Sequence, residues 1–126
     1  MFQIDATAQN WANYLASNGK FEHSKGSGYG ENIYKSWGGS KDANVRAKDA
    51  VKQWYDEIKD YDFNNPGFGM KTGHFTQVVW KGTTSIGVGV ATVPDPKYGS
   101  STVVVVNYSP PGNCQGQFPQ NVLPPK

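Results

Sequence analysis

Cysteine is almost missing from this sequence. Cys114 stands alone among 126 residues, so no internal disulfide can form. That is compatible with a reducing compartment and does not exclude secretion. Long apolar runs are missing too, and nothing approaches the roughly 20 residues of a membrane-spanning helix. Charge of either sign is sparse: 12 Lys and Arg against 10 Asp and Glu leave +2, with no basic run. Nucleic acid is therefore a poor partner, and only a diffuse attraction to anionic membranes remains. No secretory leader is recognisable, and Met1-Phe2 lacks the glycine that N-myristoylation requires. A helical pattern starts almost at once, as expected of a trimmed chain or a domain fragment.

What is present is rings and turns. Trp11, Trp37, Trp54 and Trp80 are spread along a chain with 15 glycines and 8 prolines. Burial should rest on large aromatics, with many turns, within a single domain over residues 1–126. Ile4, Ala8, Trp11, Ala12 and Leu15 follow helical spacing, with Asp5 as N-cap and Asn18-Gly19 as the stop. Phe21 to Gly30 is a polar loop carrying His23. Glu31 to Trp37 reads as a short strand, with Ile33, Lys35 and Trp37 on one face.

Ala43 to Lys59 is the clearest helix. Ala47, Val51, Trp54 and Ile58 form its expected buried stripe, and Lys48, Lys52 and Asp56 its wet side. Glu57 falls about 60° from Trp54 around the helix. It is either a surface partner for Lys52 or Lys59 or a carboxylate poised at the edge of the core. Asp60 to Lys71 is a loop punctuated by Asn64-Asn65-Pro66-Gly67. Its rings, Tyr61, Phe63 and Phe68, must cap the core or form a binding patch. In Ser85 to Val93, Ile86, Val88 and Val90 alternate with Gly87, Gly89 and Ala91, and the small face predicts close approach by another element. Val103 to Val106 reads as a central strand covered on both faces, antiparallel to its neighbour. The predicted core spans residues 4–113, with an irregular tail over 109–126.

Gly73-His74-Phe75-Thr76-Gln77-Val78-Val79-Trp80 places His74 one position before an i, i+3, i+4 apolar stripe. Taken alone, that histidine is either structural and bonded to backbone or a ligand and proton carrier. The whole segment resembles the first signature of the CAP superfamily of cysteine-rich secretory, antigen five and pathogenesis-related proteins. Val105-Val106-Asn107-Tyr108-Ser109-Pro110-Pro111-Gly112-Asn113 resembles the second, with Val106 where most members have cysteine. His23-Ser24, then Gly30-Glu31-Asn32-Ile33, and Trp54-Tyr55-Asp56-Glu57-Ile58 look like the remaining two. All four blocks fall in family order between His23 and Asn113. The loop Asn64-Asn65-Pro66-Gly67-Phe68 and the ending Asn121-Val122-Leu123-Pro124-Pro125 are similar to the disulfide-free, Golgi-associated plant pathogenesis-related branch.

The resemblance implies an α+β fold, a three-layer α-β-α sandwich around a mainly antiparallel sheet, here without the family's usual first helix. It also implies a central cleft where His23, Glu31, Glu57 and His74 converge. His23 and His74 would be ligands for Zn²⁺ or another divalent metal, weakly bound, with Glu31 and Glu57 behind them fixing the imidazoles. Any catalysis would fall to Glu31 and Glu57; Ser24 reads as a loop hydrogen-bonder. Tyr61, Phe63 and Phe68 follow a caveolin-type aromatic spacing, and in sterol-exporting relatives the equivalent loop is implicated in sterol binding. The leading expectation is a non-enzymatic binder of sterol or anionic lipid, associating with membrane surfaces. The alternatives are a protein- or peptide-interaction module forming a homodimer, and a weak metal-dependent hydrolase. The family setting is extracellular, with the cytosolic face of Golgi membranes as the alternative.

Overall fold

In a computed structural model, which describes residues 2–125, the chain orders as α1 (Phe2–Asn18), β1 (Gly30–Trp37), α2 (Ala43–Asp56), α3 (Gly73–Val78), β2 (Ser85–Asp95), β3 (Gly99–Ser109) and α4 (Phe118–Asn121). A 3-10 turn, Glu57–Asp60, continues α2. The sheet is antiparallel, in the order β1-β3-β2. Its centre is the valine run of β3. Val103 and Val105 meet Ala8, Ala12, Leu15 and Ile33 on the α1 side, while Val104 and Val106 meet Ala50 and Trp54 on the α2 side. Side chains alternate along a strand, so four consecutive valines require two covered faces. The three-layer α+β sandwich is therefore as the sequence implied.

The glycine face of β2 is where α1 docks. A Cβ on Gly87 would stand 2.4 Å from the Ile4 carbonyl carbon, and one on Gly89 2.5 Å from that of Ala8. At this range α1 also reaches the strand's outer edge. The Asp5 carboxylate accepts from Val88 N–H (3.1 Å), and the Gln9 amide accepts from Val90 N–H (3.1 Å) and donates to its carbonyl (2.8 Å). Asp5 is thus not the N-cap: the helix begins at Phe2, and the carboxylate serves the sheet instead. Gly19, with φ +62°, ends the helix, and Lys20 N–H returns to the Leu15 carbonyl at 3.0 Å. That is the expected glycine stop.

Four further expectations need correction. The buried stripe of α2 runs through Ala50 and Trp54, whereas Val51 is exposed and Ala47 and Ile58 are half-buried. Regular helix ends at Asp56, because the chain tightens into the 3-10 turn and swings Glu57 inward. On β1, Ile33 is buried but Trp37 is exposed. The tail is not merely irregular: Phe118 and Val122 enter a third core cluster with Tyr61, Phe75 and Trp80. Phe118 meets Trp80 edge-on at 5.0 Å, and Asn121 accepts from Lys81 and Gly82 N–H. Among the described residues the α2-side layer leaves Ile86 and Val88 of β2 exposed, consistent with a sandwich short of one helix.

Candidate functional site

The N-terminal end of β1, the loop after α1 and the short helix α3 meet in a cleft of about 170 Å³. It is lined by His23, Glu31, Asn32, Phe68, Met70, Gly73, His74 and Asn113. A six-residue helix is marginal by itself, so α3 is held by its surroundings. Glu57 provides much of that hold. One of its carboxylate oxygens accepts from Phe75 N–H (3.0 Å), an amide with no partner inside the first turn, and the other accepts from His74 Nδ1 (2.9 Å). The His74 ring lies parallel to buried Trp54, centroids 5.9 Å apart. His74 is therefore clamped on a face and on an edge.

A matching arrangement forms across the cleft. The Glu31 side chain is only 7% exposed and gathers three donors. These are His23 Nδ1 (2.9 Å), Ser24 N–H (2.9 Å) and the Ser24 hydroxyl (2.6 Å). Burial pushes the Glu31 carboxyl up, but the bonds from His23 and Ser24 outweigh it and hold the group below the ordinary carboxylate range. The bond to Glu31 raises His23 above the ordinary imidazole value, against a smaller opposing effect of burial. Ser24 donates to Glu31 and not to an imidazole, so serine and histidine do not form a nucleophile–base pair.

In each pair the carboxylate fixes the proton on Nδ1 and leaves Nε2 as the remaining ring nitrogen. This is the carboxylate–histidine arrangement that supports metal ligation. No cluster of three or more His, Cys, Asp and Glu side chains suited to a metal occurs among the described residues. The donor chemistry fits a divalent cation with two imidazole ligands, the other positions being left to water or substrate. His23, Glu31 and His74 line the cleft, while Glu57 stands behind His74.

Sequence reasoning did not single out two asparagines that shape this cleft. Asn32, buried, donates to the His74 carbonyl (3.2 Å) and to the Tyr108 hydroxyl (3.1 Å). Burial in turn raises the Tyr108 pKa, only partly offset by that bond, so the phenol stays neutral. Asn113 donates to the Gly73 carbonyl (2.9 Å) and accepts from the Thr76 hydroxyl (2.6 Å), tying the C-terminal segment to α3. Their signal was available: each is an amide inside a family block, Asn32 followed by Ile33 and Asn113 between Gly112 and Cys114.

The aromatic loop divides. Tyr61 is buried against Phe63 and Phe75, with centroids at 4.9 and 5.6 Å, and Phe63 is half-buried. Phe68 is 60% exposed and lies over Gly73, where a Cβ would meet its ring at 2.8 Å. With Met70, 90% exposed, it forms an apolar lip to the cleft. Beyond Phe68 a second groove of about 620 Å³ runs past Pro66, Asn113 and Gln115 to Phe118.

The family model described as "CAP: Cysteine-rich secretory protein family" matches residues 3–108. Golgi-associated plant pathogenesis-related protein 1 of Homo sapiens is 41% identical over 128 residues, covering 98% of this chain and 77% of that protein. Protein PRY2 of Saccharomyces cerevisiae is 41% identical over 119 residues, 93% of this chain but only 32% of PRY2. The crystal structure of NaASP2 with Zn²⁺ aligns with a TM-score of 0.66 at 28% identity, covering 92% of this chain and 61% of that one. The chain thus spans between about a third and three quarters of the length of these relatives. Relatives carry pathogenesis-related, Golgi-associated and venom-allergen names, and no described helix is long and apolar enough to cross a membrane. By the family model and by these identities, the chain belongs to the CAP, or cysteine-rich secretory protein, family.

Proposed function

We propose that this domain binds a sterol or a similar flat apolar lipid without chemically changing it, and that a divalent cation held by His23 and His74 anchors the ligand's polar end. The observation that carries this reading is the placement of Phe68. Its exposed ring stands between the polar cleft and a groove of about 620 Å³, within the roughly 300–1,000 Å³ of small-molecule pockets. Burying apolar surface there yields about 25 cal/mol per Å². Tyr61 and Phe63 support the loop from inside, and Phe68 with Met70 touches the ligand. The Zn²⁺ named in the NaASP2 structure supports the choice of metal. When bound, the cation supplies positive charge for an oxygen ligand; Glu31 and Glu57 orient the imidazoles and hold their protons on Nδ1. An extracellular site of action follows the family's secretory name.

Binding of a fluorescent sterol, with and without Zn²⁺, tests the reading. Phe68→Ala should weaken binding about tenfold, a loss comparable with removing one ring's worth of buried surface, while leaving the melting temperature unchanged. Unaltered sterol affinity would remove the hypothesis. The exposed Ile86 and Val88 favour one second reading, a homodimer through the α2-side face. Sedimentation independent of concentration would dismiss it.

A further inference from the structure

The opposite end of the sheet carries a surface that the cleft does not use. Glu31 is the second residue of β1 and Trp37 the last, so the two lie about 20 Å apart at 3.3 Å per residue. Beside Trp37 the β2–β3 hairpin turns through Pro96, Lys97 and Tyr98. Trp37 is 53% and Tyr98 52% exposed, with ring centroids 6.3 Å apart. Two neighbouring half-exposed rings at a strand terminus add nothing to the core.

Ammonium groups surround them. Lys35 Nζ lies 5.5 Å from the Trp37 centroid and Lys97 Nζ 5.2 Å from that of Tyr98. Lys41 lines a depression with Pro94 and Gly99. None of the three lysines forms a salt bridge among the described residues. The nearby carboxylates have other tasks: Asp42 accepts from Asn44 N–H, Asp95 from Lys97 and Tyr98 N–H, and Asp49 pairs with Arg46 at 3.0 Å. Their charge still counts. Lys35, Lys41, Arg46 and Lys97 against Asp42, Asp49 and Asp95 make four cations and three anions, a net +1. At so small a net charge the rings add apolar burial to the affinity, and the lysines select for anionic partners.

We propose that this hairpin end docks on anionic lipid bilayers, with Trp37 and Tyr98 seated at headgroup level and Lys35, Lys41 and Lys97 against the acidic headgroups. Trp and Tyr favour that depth because each joins an apolar body to a polar tip, and lysine stems extend past the rings to keep the charge in water. The proposal uses none of the residues invoked for sterol binding, and it stands or falls separately from that reading.

Cosedimentation with phosphatidylcholine vesicles, with and without phosphatidylserine, tests it on the full chain. The parent should partition onto the serine-containing vesicles and release in high salt. Trp37→Ala with Tyr98→Ala should lower the partition coefficient roughly tenfold, and Lys35→Gln with Lys97→Gln should lower it about fivefold per lysine. Phe68→Ala should leave it unchanged. The lysine pair removes no core surface, so it reports independently of any effect of the ring changes on folding. Unchanged partition in the lysine pair would overturn the proposal. So would capture of the parent by a soluble sulfated glycan without partition onto vesicles.

Discussion

Glu31→Gln separates the two halves of the His23–Glu31 pair. The carboxylate accepts three hydrogen bonds while only 7% exposed, whereas its partner His23 is 59% exposed. Glutamine has nearly the same shape but one acceptor oxygen, left for His23 and Ser24 N–H, while its amide nitrogen donates to a Ser24 hydroxyl turned from donor to acceptor. Three charge-assisted bonds become neutral ones, which costs about 2–3 kcal/mol in all. For a domain of this size that lowers the melting temperature by roughly 6–12 °C. His23→Ala removes only the exposed partner and should cost less than about 1 kcal/mol. The pH dependence carries a definite sign. Glu31 has a folded pKa below its unfolded value, so its contribution is present above the ordinary carboxylate value of about 4.3 and is lost as pH falls through the folded pKa. The gap between parent and Glu31→Gln should close over that acidic range. In the same variant the His23 pKa, read by NMR, should fall back toward the ordinary imidazole value. The reasoning is refuted if His23→Ala proves as damaging as Glu31→Gln, or if His23 titrates identically in both proteins.

Zn²⁺ uptake, followed by calorimetry across a pH series, should weaken about tenfold per pH unit once His23 is protonated, because the proton and the metal compete for the imidazole. His23→Ala and His74→Ala should each abolish the heat; equal uptake after both changes would place the metal elsewhere. Gly89→Ala should cost about 3 kcal/mol in urea unfolding, since its Cβ would lie 2.5 Å from the Ala8 backbone and α1 must move. A loss below about 1 kcal/mol would show that α1 is not seated by the glycine face.

The layers of this fold were legible because each depends on a local pattern. The four valines of β3 demanded two covered faces, and the alternating glycines of β2 announced the helix above them. The stripe of α2 was misplaced because Val51 outranks Ala50 in hydrophobicity, while the space beneath the helix admits only the smaller side chain, 0% exposed. Asp5 looked like a cap because no sequence rule sees an edge strand 83 positions away. Of the cleft, the two histidines, Glu31 and Glu57 were all legible through their motifs; what the helical pattern did not show is that a 3-10 turn brings Glu57 inward to His74. The burial of Tyr61 depends on Phe118 and Val122, whose irregular, proline-rich segment has no periodicity to read.

The contact of Asp5 and Gln9 with β2 has a consequence for how the protein behaves in company. An open strand edge is a template on which another chain can build, and here two side chains occupy the amides of Val88 and Val90. The helix that supplies them also leads directly into the loop of His23. Loosening α1 therefore uncovers a self-complementary edge while it displaces one wall of the cleft. Loss of ligand binding and the onset of self-association should appear together, as two readings of one event.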